Sequence, residues 1–272
     1  MLRLLILFTM LSLAPVLASG RQDTLTFKSN AVIHRFPQKS VYITKSVYDA
    51  PGLNFLVLHD DENTGVLAAH DFCRLNGGSI TELEYGNERN ISFSNRQSQF
   101  SFDPNQIFNN AGAAKTLKKY SHSKAGTTTV MQVRQLAIKV LDIYNPDSLG
   151  YIVTLHNNTD GNFSINSYAA GQYLYGTADS VYVNPEMDAD DLVFVTEPSF
   201  YGYLKQQQIN AVLQSPQAID GSLSVYAQLN QIPYVNIEVQ DGHQQEHLRL
   251  ILAVHAMLKD VALQPLYAKK EK

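Results

Sequence analysis

Hydrophobic residues along this chain follow two alternating periods. Residues 41–48 and 55–58 are short apolar runs with strand composition. Residues 151–155 are almost wholly apolar, the pattern of a strand buried on both faces. Residues 234–239 place Val235, Ile237 and Val239 at period two, again a strand. Between these runs the period changes to that of a helix. The clearest case is 130–144, where Val130, Val133, Ala137, Val140, Leu141 and Tyr144 recur at i, i+3 and i+4. The pattern predicts further helices over 65–75, with Thr64 as N-cap, over part of 104–120, and over 201–213 and 246–258. Strands alternating with helices predict an α/β protein. The expected form is a three-layer α/β/α sandwich with a mixed, largely parallel central sheet. In such folds ligands sit outside the carboxyl ends of the strands.

The first twenty residues do not fit that alternation. Arg3 precedes an apolar stretch over 4–13, and Val16-Leu17-Ala18 offers a small-residue cleavage site. Residues 1–20 therefore read as a signal peptide, cut after Ala18 or Gly20 and too short to span a bilayer comfortably. The expectation is a single domain over 21–272, periplasmic or secreted, with no stable membrane anchor after cleavage. About 250 residues suffice for one large core. The lone Cys73 can form no internal disulfide, and its helical setting marks it as a buried apolar residue rather than a nucleophile. The net charge is −4 and the one basic run is a short tail at Lys269–Lys272, so nothing points to a nucleic-acid partner.

Candidate chemistry lies where apolar runs end. Phe55-Leu-Val-Leu leads into His59-Asp-Asp-Glu62, Ile152-Val-Thr-Leu into His156, and Tyr234-Val-Asn-Ile into Glu238. One tight turn brings His59 and Glu62 to the same side, and neighbouring strands would add His156. Two His and one Glu make an open three-ligand zinc site, and a further Glu can act as base in metal-assisted amide hydrolysis. Taken singly, each feature also has an ordinary reading. A His-Asp-Asp-Glu turn suits a solvated loop, and one acid in an alternating strand suits a sheet edge. His243 and His247 are four apart and could share a helix face, but Glu246 is not at the His-Glu-x-x-His spacing. His34, His70 and His122 read as ordinary histidines. Asn90, Asn157 and Asn162 begin glycosylation sequons, relevant only in a eukaryotic secretory route.

The surrounding residues add a resemblance. His59-Asp-Asp-Glu62-Asn-Thr-Gly65-Val-Leu-Ala-Ala69 resembles the His-x-x-Glu-x-x-Gly-x-x-Ala signature of zinc carboxypeptidases of the carboxypeptidase A type, shared by the succinylglutamate desuccinylase and aspartoacylase branch. Phe102-Asp-Pro-Asn105-Gln106-Ile-Phe108 resembles the family's Asp-x-Asn-Arg-x-Phe motif, and Arg89-Asn-Ile-Ser-Phe93 the segment before it. With His156 and Glu238 following, the order matches over about residues 50–262. The resemblance implies one Zn²⁺ per chain held by His59, Glu62 and His156. It implies that Glu238 takes a proton from the attacking water and passes it to the leaving amine. Arg89, or Arg96, would stabilise the oxyanion, and Asn105 would hold the substrate's polar end. Gln106 stands where the family carries an Arg that clamps a carboxylate. Another Arg, such as Arg96 or Arg134, would then supply that charge, or the substrate end is not a free carboxylate. The implied substrate is a peptide, with peptidoglycan stem peptides suggested by export. The alternatives are a small N-acyl amino acid and a non-catalytic binding module of the same fold.

Overall fold

A computed structural model describes residues 24–262; the signal peptide expected over 1–20 and the basic tail lie outside them. The chain opens with a hairpin of β1 (Phe27–Phe36) and β2 (Lys39–Tyr48), then β3 (Leu53–Val57), α1 (Asn63–Asn76) and β4 (Gly78–Glu84). A second hairpin of β5 (Ile91–Asn95) and β6 (Ser98–Phe102) leads to α2 (Asn110–Tyr120), α3 (Thr127–Tyr144) and the short α4 (Pro146–Leu149). There follow β7 (Ile152–Asn158), β8 (Ala178–Tyr182), β9 (Leu192–Val195), α5 (Pro198–Gln206) and β10 (Ala211–Gln214). The described chain finishes with α6 (Leu223–Leu229), β11 (Tyr234–Gln240) and α7 (Gln244–Met257), which runs on as a π-helical turn. None of the described helices is long and apolar enough to cross a membrane.

Nine strands form one mixed sheet in the order β1-β2-β4-β3-β7-β11-β9-β10-β8. The four central strands β4, β3, β7 and β11 run parallel, with antiparallel pairs toward both edges. Alternation along the central strands splits the core in two. Val153, Leu155, Val235, Ile237 and Val239 pack with residues of α1, α5 and α7. Leu56, Leu58, Ile152 and Tyr234 face the other way, against α2, α3 and α6. Leu155 and Ile237 are fully buried, each worth about 1.5–3 kcal/mol relative to exposure. This is the α/β/α sandwich that the pattern predicts. Cys73 is buried in the first cluster and burial raises its thiol to about 12, which suits an inert core residue.

The α1–β4 joint is a close backbone approach. Gly78 has φ +113°, and a Cβ there would fall 1.8 Å from the Leu53 carbonyl oxygen, so only glycine fits.

Two expectations change. The helix expected over 201–213 stops at Gln206, and residues 211–214 are β10. Gln208 turns left-handed (φ 56°), and buried Asn210 donates to the carbonyls of Asp188 (2.8 Å) and Asp191 (3.0 Å), which redirects the chain into the sheet. Thr64 is not the N-cap of α1; Glu62 occupies that position, and Thr64 Oγ1 instead donates to Asp241 Oδ1 at 2.7 Å. The helix expected over part of 104–120 is α2, which follows a three-ten turn at Pro104–Gln106.

His247 on α7 is fully buried, and burial pushes its pKa down to about 3. The unfolded chain takes up this proton near pH 6.5, and the native chain does not. Stability from this group is therefore complete above pH 6.5 and falls as pH drops toward 3. By pH 5 the loss is roughly 2 kcal/mol. Urea unfolding of chelator-treated protein at pH 7.5 and 5 should show this fall, and His247→Leu should shrink it by about that amount; an identical fall in the variant would refute the assignment.

Candidate metal centre

Because β3 and β7 are sheet neighbours, their carboxyl ends bring the His59 turn beside His156. The parallel register of β7 and β11 then sets Glu238 opposite His156 and Asn236 opposite Thr154. His59, Glu62 and His156 are all buried, and each offers a ligand atom within 4.8 Å of the others. The two imidazole centroids are 5.2 Å apart.

Hydrogen bonds fix which atom each residue presents. His59 Nε2 lies 2.9 Å from Asp103 Oδ1. Burial alone would raise the Asp103 carboxyl, but the His59 bond and charge outweigh it and hold it down at about 2. An ionised carboxylate only accepts, so His59 Nε2 carries a proton and Nδ1 points inward. Asn236 Nδ2 donates to Glu238 Oε1 at 2.9 Å, which turns Asn236 Oδ1 toward His156 Nδ1, 2.6 Å away. His156 Nδ1 is therefore the donor, and Nε2 is free. Three atoms at the cluster make no aligned hydrogen bond: His59 Nδ1, which sits 3.0 Å from Glu62 Oε1 as a charged contact, Glu62 Oε2 and His156 Nε2. Buried polar atoms rarely lack such a bond, and here three of them converge. Two nitrogens and a carboxylate oxygen are a donor set that fits a divalent transition metal.

The local charges agree. Burial would lower the His59 pKa, but the carboxylates of Glu62 and Asp103 raise it to about 9. Burial would raise Glu62, but His59, His156 and Arg89 hold it below the usual carboxylate range. The centre thus favours positive charge. Half-buried Glu238 behaves differently: burial lifts its carboxyl above the ordinary range against the pull of His156, and the charge of Glu62 adds to the rise.

Arg89 reaches the cluster, with a guanidinium nitrogen 2.9 Å from Glu62 Oε1 and its side chain half-exposed. Arg96 does not. It is exposed at the turn of the β5–β6 hairpin, four strand residues from the end that adjoins Asp103, or roughly 13 Å. Arg134 is engaged with the Ile107 carbonyl. Asn105 lies two residues after Asp103; its N–H donates to Asp103 Oδ1 at 2.8 Å and its Oδ1 accepts from Leu223 N–H at 3.3 Å. Gln106 is half-buried beside it. Tyr168 is buried between the rings of Phe163 and Phe194 within electrostatic reach of Glu238, whereas Tyr173 and Tyr175 are exposed. His243 and His247 do not form a second metal cluster among the described residues. A cavity of about 580 Å³ bounded by Tyr48, Asn54 and Ser79 lies at the amino ends of β3 and β4, away from this chemistry.

Two contributors are absent from the sequence-based site: Asp103, which orients His59, and Asn236, which links His156 to Glu238. Asn236 had a signal, since it lies two residues before Glu238 and so on the same strand face. Asp103 had a signal too, as the Asp of the Asp-x-Asn motif, but nothing in that motif assigns it to His59.

No protein-family model and no curated protein matches the chain. Among solved structures, a candidate metallopeptidase of Shewanella baltica aligns over 85% of this chain and 84% of its own, at 10% identity and TM-score 0.38. A second, from Shewanella amazonensis, covers 86% of each chain at 12% identity and TM-score 0.38. An aspartoacylase family protein of Mesorhizobium loti covers 88% of this chain and 68% of its own, at 12% identity and TM-score 0.43.

The Asp103–His59 bond generates a test. Asp103→Asn should leave the chain folded and lower its affinity for a divalent metal roughly 10–100-fold, measured by chelator competition. Unchanged affinity would show that Asp103 does not orient a ligand.

Proposed function

We propose that this chain is an exported zinc-dependent hydrolase of amide bonds. The observation that carries the proposal is the convergence of three buried ligand atoms without an aligned hydrogen bond beside a carboxyl of raised pKa. His59, Glu62 and His156 would hold the ion. When bound, Zn²⁺ supplies Lewis acidity that polarises a carbonyl and makes water acidic near neutral pH. Glu238 is the general base: its raised pKa makes it a better proton acceptor than an ordinary carboxylate, and the same proton then goes to the leaving amine. The Asn236 amide holds one Glu238 oxygen and leaves the other available. Arg89 carries a fixed positive charge beside Glu62, suited to the oxyanion that forms on the attacked carbonyl. Asn105 and Gln106 border this centre as neutral contacts for the substrate.

The substrate we favour is a peptide, with peptidoglycan stem peptides as the exported case. A small N-acyl amino acid is the second reading, because a neutral Gln106 makes no ionic clamp and a short substrate needs fewer contacts. A binding module without chemistry is the reading from another class; it offers no reason for a carboxyl of raised pKa, Glu238, beside the cluster.

Purified protein should contain about one zinc per chain, and the His59→Ala, His156→Ala double variant should contain none. A wild-type chain that takes up no metal ends the hydrolase reading. Glu238→Gln should retain zinc and lose at least about 100-fold in kcat; retained turnover would remove Glu238 from the mechanism. Mass spectrometry of muropeptide digests, run beside a panel of N-acyl amino acids, separates the two substrate readings.

A further inference from the structure

We propose that Asp60 and Tyr85 form a clasp that positions Arg89 at the metal centre. Residues Gly86 to Arg89 are exposed, so no apolar side chain of that loop anchors it in the core. Three successive backbone N–H groups, of Tyr85, Gly86 and Asn87, instead converge on one oxygen of Asp60, Oδ2. The Gly86 and Asn87 bonds measure 2.5 and 2.7 Å. Such a convergence is a nest for an anion, and here the anion is a side chain of the same protein.

The clasp is reciprocal. Tyr85 is buried, and its hydroxyl accepts from the Asp60 N–H at 3.2 Å and donates to the Arg89 carbonyl at 2.9 Å. Asn87 sits in the left-handed region at φ 57°, and Asn63 Nδ2 donates to its side-chain oxygen at 3.0 Å. The turn that supplies His59 and Glu62 therefore also holds both ends of the loop that supplies Arg89. Asp60 lies between the two ligands but points away from them. Its work is done through Arg89, so it is a positioning residue rather than a catalytic one. Held this way, the guanidinium stays beside Glu62 Oε1 with half its surface open to an incoming oxyanion. The clasp stands on geometry alone; its effect on turnover rests on the hydrolase reading.

Two variants test it. Asp60→Ala removes the acceptor, and Tyr85→Phe removes the hydroxyl while keeping the buried ring. Hydrogen exchange on the metal-free chain should speed up at least about tenfold at residues 85–89 in Asp60→Ala, with the core strands unchanged. Unchanged exchange there overturns the clasp, whatever the chain binds. Inorganic phosphate titrated calorimetrically into the zinc-loaded protein then reads Arg89 as an oxyanion site. Arg89→Ala, Asp60→Ala and Tyr85→Phe should each weaken phosphate, and adding Asp60→Ala to Arg89→Ala should weaken it no further. Losses that multiply, or an Asp60→Ala chain that has lost its zinc, would overturn the positioning role. If exchange and phosphate behave as expected while the wild-type protein cleaves no muropeptide or N-acyl amino acid, the clasp stands and the hydrolase reading falls.

Discussion

The parallel pairing of β7 with β11, with β3 on the other side of β7, is the constraint on which the candidate site depends. Register brings Glu238 level with His156 and Asn236 level with Thr154. Side chains alternate across a strand, so a slip of one residue would send Glu238 and Asn236 to the opposite face and bring Ile237 into the site. The apolar partners make such a slip costly. Val153, Leu155, Val235, Ile237 and Val239 are fully buried against α1, α5 and α7, and a slip would expose or misplace all of them. Packing on one face of the sheet thereby specifies chemistry on the other.

That chemistry would be expensive without a positive charge at its centre. Glu62 and Asp103 are both buried and both held in the ionised range, flanking His59. A buried carboxylate is tolerated only when paired, and removing one partner leaves an uncompensated charge. In the metal-free chain the proton on His59 and the guanidinium of Arg89 supply that compensation. A divalent ion would take the place of the proton on Nδ1, because the other nitrogen is already committed to Asp103. Arg89 then has a second significance: it moderates Glu62 whether or not an ion is present, and the Asp60 clasp keeps it close enough to do so.

The sequence made the central elements legible because their patterns are strong. The apolar run at 151–155 and the alternation at 235–239 are strands in the structure, and the 130–144 periodicity lies within α3. Outer strands were harder to read. In β1 the first seven residues are exposed, so no buried face imposes a period. Strand β10 follows α5 after four residues, too short a gap for composition to mark the change from helix to strand. Within the candidate site, residues that end apolar runs stood out, and those that orient them did not. Asp103 reaches His59 across 44 positions of chain and Asn236 reaches His156 across 80. No local spacing encodes such contacts. The rivalry between Arg89 and Arg96 is of the same kind, since both flank or lie within the same hairpin and only the direction of that hairpin separates them.

A single feature of the strands accounts for both the core and the site. On the face shared with α2, α3 and α6, β7 runs from Ile152 through Thr154 to His156, and β11 from Tyr234 through Asn236 to Glu238. Both change from apolar to polar to ionisable as they approach the carboxyl edge. The opposite face stays apolar as far as Leu155 and Val239, before Asn157 at the rim of β7. The Tyr234 hydroxyl, 2.8 Å from Thr154 Oγ1, marks the boundary where the polar network begins, and the bonds from Thr154 to Asn236 and from Asn236 to His156 and Glu238 carry it to the rim. Each polar group along that path has a partner until the cluster itself, where three atoms make no aligned hydrogen bond. A polar path that is paired along its length and ends in three converging ligand atoms marks that end as the place for a group from outside the chain.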